Sequence, residues 1–325
     1  MIQNGIYHYL MQRYPAELAT YAKRKIPQNY VIDEFSKSSE ETYLAYILHK
    51  DQVFKDYLDS YIDECLAQPE FPLFNKIEIE TFNRCNNDCA FCPVSVGNDR
   101  RRHQIMDTGL FCHIIEQLAD LQYNGVVSLY SNNEPLLDLR LPKLIRITRK
   151  RLPNAFILLY TNGLLLTEQL LPSLLEDTNF LYINCYAETN ALSERLRPVQ
   201  NYLIQNHVSP TKVEIHIRNK NEHLSTRAGN APNRINSAHL TSRCILPFSQ
   251  LVVRPSGEVS LCCNDAYGEY TLGDLNVSTL KHVWQGEPFQ AFRTQMLQGR
   301  SEHLACRVCD MLYMPLAYER HEQGG

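Results

Sequence analysis

The chain has 325 residues, of which 44% are hydrophobic and 21% charged, an ordinary composition for a globular protein with room for one large domain and a smaller one. A net charge of −4 gives no argument for a nucleic-acid partner or an anionic membrane, and no apolar stretch is long enough to span a bilayer. Eleven cysteines, with no secretory signal in the opening residues, read as metal ligands in a reducing, cytoplasmic setting rather than as disulfides.

Residues 1–75 predict a helical extension. Ile6–Lys25, Glu40–Lys50 and Gln52–Ala67 carry Leu, Ile, Tyr and Phe at helical spacings, and Ser38-Ser39 supplies a cap for the second. The dense tyrosines suit packing on a core, or a lid facing substrate. Pro69, Pro72 and Asn75 mark the boundary. Lys76–Phe82 then alternates like a strand, and three thiols follow at its end, Cys85, Cys89 and Cys92, spaced C-x3-C-x2-C. In a parallel α/β barrel, chemistry sits at the carboxy-terminal ends of the strands. Three close thiolates favour a soft metal. A fully ligated [4Fe–4S] cluster takes four cysteines, so three leave one iron open, as catalysis needs. A zinc knuckle with a distant fourth ligand, or loose reduced thiols, are the alternatives.

Further strands are expected at Val126–Ser131, Ala155–Thr161, Phe180–Ala187, Lys212–Arg218 and Phe248–Arg254, with helices between, notably Thr108–Gln122 and Pro142–Arg151. Such alternation implies a parallel sheet with helices outside. Residues two apart share a face of a strand. Ile77 and Ile79, then Leu181, Ile183 and Cys185, then Val213, Ile215 and Ile217 should therefore meet the helices. Glu78 and Glu80, Tyr182, Asn184 and Tyr186, and Glu214, His216 and Arg218 should line a polar lumen, which suggests a binding cavity. Cys185, on the outward face, reads as a small buried hydrophobe. Ser131-Asn132-Asn133-Glu134-Pro135 ends the second of these strands, and Thr161-Asn162-Gly163 the third. Asparagine tolerates left-handed backbone, so a turn suits positions 132 and 133, and Glu134 can accept hydrogen bonds from an ammonium. Residues 219–242 are a polar linker. Beyond it, Leu251–Leu261 reads as a hairpin turning at Pro255-Ser256-Gly257, and Cys244, Cys262, Cys263, Cys306 and Cys309 form a second thiol set. Tetrahedral zinc would suit four of them as well as an iron–sulfur cluster would.

The first thiol set, with Phe91 at its aromatic position, resembles the C-x3-C-x-aromatic-C loop of the radical S-adenosylmethionine (SAM) superfamily. The resemblance implies a partial (β/α)6 TIM-like barrel over 76–243. It also implies a [4Fe–4S] cluster on Cys85, Cys89 and Cys92 whose open iron is chelated by SAM. Asn132, Asn133 and Glu134 stand where the family has G-G-E, which holds the SAM amino group, and Asn162 stands in its T-N-G turn. By position, Asn184 is expected at the SAM ribose and Arg218 at its carboxylate. The segment 244–325 resembles the short twitch form of the SPASM domain, which implies an auxiliary [4Fe–4S] cluster on Cys244, Cys262, Cys306 and Cys309. Cys263 is the rival of Cys262.

The implied activity is reductive cleavage of SAM to a 5′-deoxyadenosyl radical that abstracts hydrogen from a small molecule, sugar- or aminocyclitol-like, or from a peptide. An electron donor such as flavodoxin or ferredoxin is expected. The family includes an aminocyclitol alcohol dehydrogenase, and in that reading Glu214 and His216 are the bases and the auxiliary cluster takes the substrate electron. The alternatives are a maturase of a ribosomally made peptide, epimerising with Cys263 or Cys112 or cross-linking, and a non-catalytic iron–sulfur or zinc scaffold.

Overall fold

The computed structural model describes residues 29–34, 36 and 39–313; the helix expected over Ile6–Lys25 lies outside them, as does Ser38. Ser39 is the cap, its hydroxyl accepting from the Thr42 amide at 3.2 Å. The two helices expected on either side of Asp51 are one, α1 (Glu40–Leu66). No proline or glycine interrupts this stretch, and Ile47, Asp51, Phe54, Leu58, Ile62 and Cys65 recur every three or four residues as one buried stripe. The stripe packs on Ile245, Phe248, Leu261, Phe292 and Met296. The amino-terminal helix thus shares a core with the carboxy-terminal cysteine segment.

The described strands are β1 (Val31–Asp33), β2 (Lys76–Ile79), β3 (Val126–Ser128), β4 (Phe156–Thr161), β5 (Phe180–Ala187), β6 (Val213–Asn219), β7 (Gln250–Val253), β8 (Glu258–Ser260) and β9 (Thr271–Asp274). They form one sheet in the order β1-β6-β5-β4-β3-β2-β7-β8-β9. Pairs from β1 through β7 are parallel, and β7–β8–β9 are antiparallel. This is the expected α/β partial barrel, with one difference in order. The sixth expected strand, β7, lies beside β2 instead of following β6, and β1 takes that far edge. The long linker allows the return, and packing fixes it: Leu251 and Val253 join Ile77 and Ile79 in the outer core, while Gln250 donates to Glu78 at 2.9 Å. The expected hairpin is present as well. Val252 faces Ser260, and Gly257 turns the chain at φ +91°, where a side chain would be strained.

Strand parity holds. The outward residues, Cys185 among them, form one core with helices α2 (Thr108–Asp120), α3 (Leu141–Arg151), α4 (Leu171–Leu175) and α5 (Arg197–Gln205). The inward face is less polar than its sequence implies, because Phe156, Leu158 and Phe180 pack with Tyr160 and Tyr182. Phe156 and Phe180, the first residues of β4 and β5, fill the amino-terminal end of the barrel, and Tyr160 reaches the cavity at the other end. Among the described residues, no helix is long and apolar enough to cross a membrane.

Asp51 clamps α1 to the linker. Its carboxylate accepts from the Thr241 amide at 2.6 Å, the Thr241 hydroxyl at 2.8 Å and the Ser242 amide at 3.1 Å. Burial works against the charge, but the hydrogen bonds from Ser242 and Thr241 outweigh it and hold the carboxyl below the usual aspartate range. Its contribution is therefore present above the unfolded-state pKa and lost as pH falls through the depressed one. Asp51→Ala should cost about 2–3 kcal/mol, seen as a lower thermal midpoint at neutral pH, with Asp51→Asn losing less.

Candidate active site

The first three thiols sit on an irregular loop after β2, fixed by backbone bonds from Ala90 to the Lys220 carbonyl (2.9 Å) and from Val96 to the Asn87 carbonyl (2.8 Å). Arg101 anchors the loop from behind. Its buried guanidinium donates to Glu80 (2.9 Å), Asp99 (2.9 Å), the Asn83 carbonyl (2.9 Å) and the Asn132 carbonyl (2.7 Å). Burial pushes the Cys85 thiol up to about 12 and the Cys89 thiol up as well. Such thiols become ligands only by giving their protons up to a bound metal. Cys85, Cys89 and Cys92 line one cavity of about 290 Å³ with Phe91, Asn132, Asn133, Glu134, Asn162 and Asn184. The expected cofactor-side residues thus meet in one place, Arg218 excepted.

Glu134 is held tightly. One carboxylate oxygen accepts from the Leu136 amide (3.0 Å) and the Thr161 hydroxyl (2.7 Å), the other from the Asn162 amide (2.7 Å). Burial raises its pKa to about 7, and these hydrogen bonds offset only part of that. Asn162 reaches Asn86 at 2.8 Å and the Cys85 sulfur at 3.8 Å, which joins this turn to the cysteine loop. Neither Asn132 nor Asn133 has left-handed backbone. Their side chains serve instead. Asn133 accepts from the Ser131 amide (3.0 Å) and leaves its buried Nδ2 without a partner. Asn132 donates to the Cys263 carbonyl at 3.0 Å and accepts from Arg227.

Three expected residues lie elsewhere. Arg218 is taken by Glu222 (2.8 Å) and Glu34 (3.5 Å) and does not line the cavity. His216 is fully buried, stacked on Tyr182 at 3.9 Å, with its ring nitrogens at Glu214 (2.9 Å) and at the Tyr182 hydroxyl (2.8 Å). The structure brings neither Glu214 nor His216 to the cavity: Tyr182 and Glu34 hold His216, and His216 holds Glu214.

Sequence reasoning missed Arg227, which does line the cavity. It donates to Asn132 and to the Cys263 carbonyl (3.2 Å), its Nε is buried without a partner, and no carboxylate among the described residues pairs with it. It sits in the linker, where no periodicity marks it. Also unforeseen on the wall are Tyr130 and Tyr160, with ring centroids 5.2 Å apart, while Tyr43 from α1 lines it as the lid alternative for the amino-terminal tyrosines would have it.

The second thiol set lines its own small cavity. Cys244, Cys262, Cys306 and Cys309 all face it, and Cys263 does not. The Cys263 thiol, pushed up to about 12 by burial, lies instead within electrostatic reach of Glu78, Arg227 and Lys76. Cys112 packs against the barrel core, and neither it nor Cys263 lines the larger cavity. Tetrahedral zinc needs sulfurs about 3.8 Å apart, from Zn–S bonds of about 2.3 Å. Among the described residues no three such ligands converge on a single ion position. A cubane takes each thiolate on a different iron, and the two cavities gather three and four thiols, the donors such clusters use. All eleven cysteines are free of disulfides.

The radical SAM superfamily model matches residues 79–202, and the model of the SPASM iron–sulfur cluster-binding domain matches residues 244–310. The chain is similar to the S-adenosyl-L-methionine-dependent 2-deoxy-scyllo-inosamine dehydrogenase of Niallia circulans, 29% identical over 241 residues, or 73% of this chain and 93% of that one. Among solved structures it is similar to BtrN in complex with AdoMet and 2-DOIA, with a TM-score of 0.65 at 26% identity, covering 75% of this chain and 96% of that chain. BtrN in an open conformation gives a TM-score of 0.55 at 24% identity, covering 74% and 94%.

The separation of Cys262 from Cys263 can be tested by iron analysis of the anaerobically reconstituted protein. Cys262→Ala should lose one cluster's iron, about four atoms per chain, while Cys263→Ala keeps the full complement. Equal loss in both variants would contradict the geometry.

Proposed function

We propose that this chain, a radical SAM enzyme with a carboxy-terminal SPASM domain, oxidises an alcohol on a small cyclic polyol of the aminocyclitol kind. The observation that carries this reading is the cavity itself. Beyond the residues assigned below to the cluster and SAM, it is walled by tyrosines and offers Arg227 Nε, a buried polar atom with no protein partner. The similarity to an inosamine dehydrogenase over most of both chains supports it. A peptide would need an open groove, and a cavity walled on its far side by Tyr43, Leu224 and Met311 does not favour one.

In this reading Cys85, Cys89 and Cys92 hold the catalytic cluster, and Cys244, Cys262, Cys306 and Cys309 hold the auxiliary one. The catalytic cluster and SAM, when bound, supply the 5′-deoxyadenosyl radical that takes a hydrogen atom from the substrate carbon. Glu134 accepts hydrogen bonds from the SAM ammonium, Asn133 and Asn162 flank it, and Asn184 receives a ribose hydroxyl. Arg218 orders the strand end through Glu222 and Glu34. Arg227 donates to the reacting substrate oxygen and steadies the negative charge left there when its proton passes to water, while the electron released as the carbon becomes a ketone would pass to the auxiliary cluster. Glu214 and His216, which do not line the cavity, take no part in this reading. The electron donor in this reading is a flavodoxin or ferredoxin, and the exposed Arg100 and Arg102 beside the cysteine loop suit an acidic one. Free cysteines throughout support a reducing cytoplasm.

The direct test is anaerobic incubation of the two-cluster protein with SAM, reductant and deuterated aminocyclitols. Ketone and deuterated 5′-deoxyadenosine in equal amounts are expected. SAM cleavage with no deuterium transfer from any cyclitol would remove the substrate class.

Glu134→Gln gives a second test. It should weaken SAM binding about tenfold to a hundredfold, the worth of a hydrogen bond to a charged group. With the Glu134 pKa near 7, wild-type affinity should fall as pH drops below about 7, and the glutamine variant should lack that dependence. A carboxyl raised in this way costs folding stability as pH rises through its folded pKa.

A further inference from the structure

We infer that α1 is the roof of the reaction cavity and that Tyr43 is a specificity-determining residue that touches the substrate. The inference rests on the small-molecule reading above and extends it to a segment that precedes both family-matched stretches.

Tyr43 lines the same cavity as the three cysteines of the β2 loop, although it comes from a helix outside the barrel. A latch holds it there. The Glu40 carboxylate, one helical turn earlier, accepts from Arg234 Nε (3.0 Å) and from the amides of Ile235 (2.9 Å) and Asn236 (2.8 Å). Arg234 donates onward to Asp310 at 2.7 Å, and Asp310 accepts from the Thr226 amide at 2.7 Å. The same guanidinium lies over the Tyr43 ring, 4.6 Å from its centroid, and its side chain is 1% exposed. The ring is thus pinned from outside by a buried cation while it closes the cavity from within. Asp310 follows Cys309 directly, so the latch also fixes the roof against the second thiol set. Its hydroxyl has no hydrogen-bond partner among the described residues. Burial, with Asp310 nearby, keeps it protonated and so a donor.

These features define what the roof would read. With Phe91, Tyr130, Tyr160 and Tyr186, Tyr43 makes an aromatic enclosure, suited to the C–H faces of a saturated ring, with hydroxyl donors for its substituents. A helix clamped by ion pairs sets a fixed height for that enclosure. Substituents that project toward α1 are then limited by the Tyr43 ring.

The test compares Tyr43→Ala, Tyr43→Phe and Tyr43→Leu as two-cluster proteins. Tyr43→Ala should keep wild-type iron content, raise KM for the accepted aminocyclitol about tenfold with kcat nearly unchanged, and accept larger N-substituted cyclitols that wild type refuses. Tyr43→Phe should keep the size limit and lose only a few-fold in KM. A second readout needs no substrate: a ferrous chelator should strip iron from the SAM-free protein faster in Tyr43→Ala than in wild type. Unchanged KM, size limit and chelation rate in Tyr43→Ala would overturn the inference. If Tyr43→Ala loses its iron on purification, Tyr43→Leu, which keeps bulk against Arg234, carries the same comparison. Failure of the wild type on every cyclitol would remove the substrate reading alone, and the chelation rates would still decide the roof.

Discussion

The site depends on one buried guanidinium. Arg101 takes the carboxylate of Glu80 at the end of β2, the carboxylate of Asp99 after the cysteine loop, and the main-chain carbonyls of Asn83 and Asn132. The stretch from Glu80 to Asn83 just after β2, the far side of the cysteine loop at Asp99, and the turn at Asn132 thus meet on one planar group. Burial pushes the Glu80 carboxyl up, and the charges of Arg101 and Arg254 oppose that shift. Breaking one member of such a buried set strands the others, at a cost of about 3–5 kcal/mol. The arrangement is therefore stiff, as a loop that must present three thiols at fixed separations requires.

Asn132 extends this stiffness toward the second thiol set. Its carbonyl meets Arg101 and its amide meets the carbonyl of Cys263, the residue after Cys262. Arg227 bonds to both Asn132 and that carbonyl, and Met311, two residues beyond Cys309, lines both cavities. Glycine at position 132 could make none of the side-chain bonds. The departure from G-G-E-P is thus a gain of function for the side chain rather than a tolerated turn residue. It ties this loop to the segment that carries the second thiol set.

Much of this was legible in the sequence. The C-x3-C-x2-C spacing placed the first thiols correctly at a strand end, and the parity of Ile77, Ile183 and Ile215 assigned the outer face. The four-thiol set was legible from its pairing pattern, but the choice between Cys262 and Cys263 was not, since adjacent residues differ only in direction. Strand order was hidden because β2 and β6 both present apolar outer faces that β7 could pair with. His216 and Glu214 do face inward, as alternation says. Alternation cannot report that Tyr182 and Glu34 hold His216, and that His216 holds Glu214. Arg227 was illegible for a related reason, and the lid alternative for the amino-terminal tyrosines could not single out Tyr43. Neither lies on a periodic pattern that points at the cavity, and tertiary contacts alone bring them there.

The division of the cavity wall follows from the same facts. Most of its lining residues, from Cys85 to Tyr186, fall within the stretch matched by the radical SAM model. The others are Tyr43 from α1, Leu224, Ser225 and Arg227 from the linker, and Met311. All five lie outside both matched stretches, and the SPASM-matched segment contributes no lining residue of its own. Cofactor chemistry demands fixed residues at strand ends, where a barrel is most rigid. Substrate choice demands residues that can change without disturbing them, and loops and added helices supply those. The latch of Glu40, Arg234 and Asp310 reconciles the two demands. It fixes a helix added ahead of the barrel over the site, through an arginine and an aspartate that are buried and do not line the cavity the helix closes.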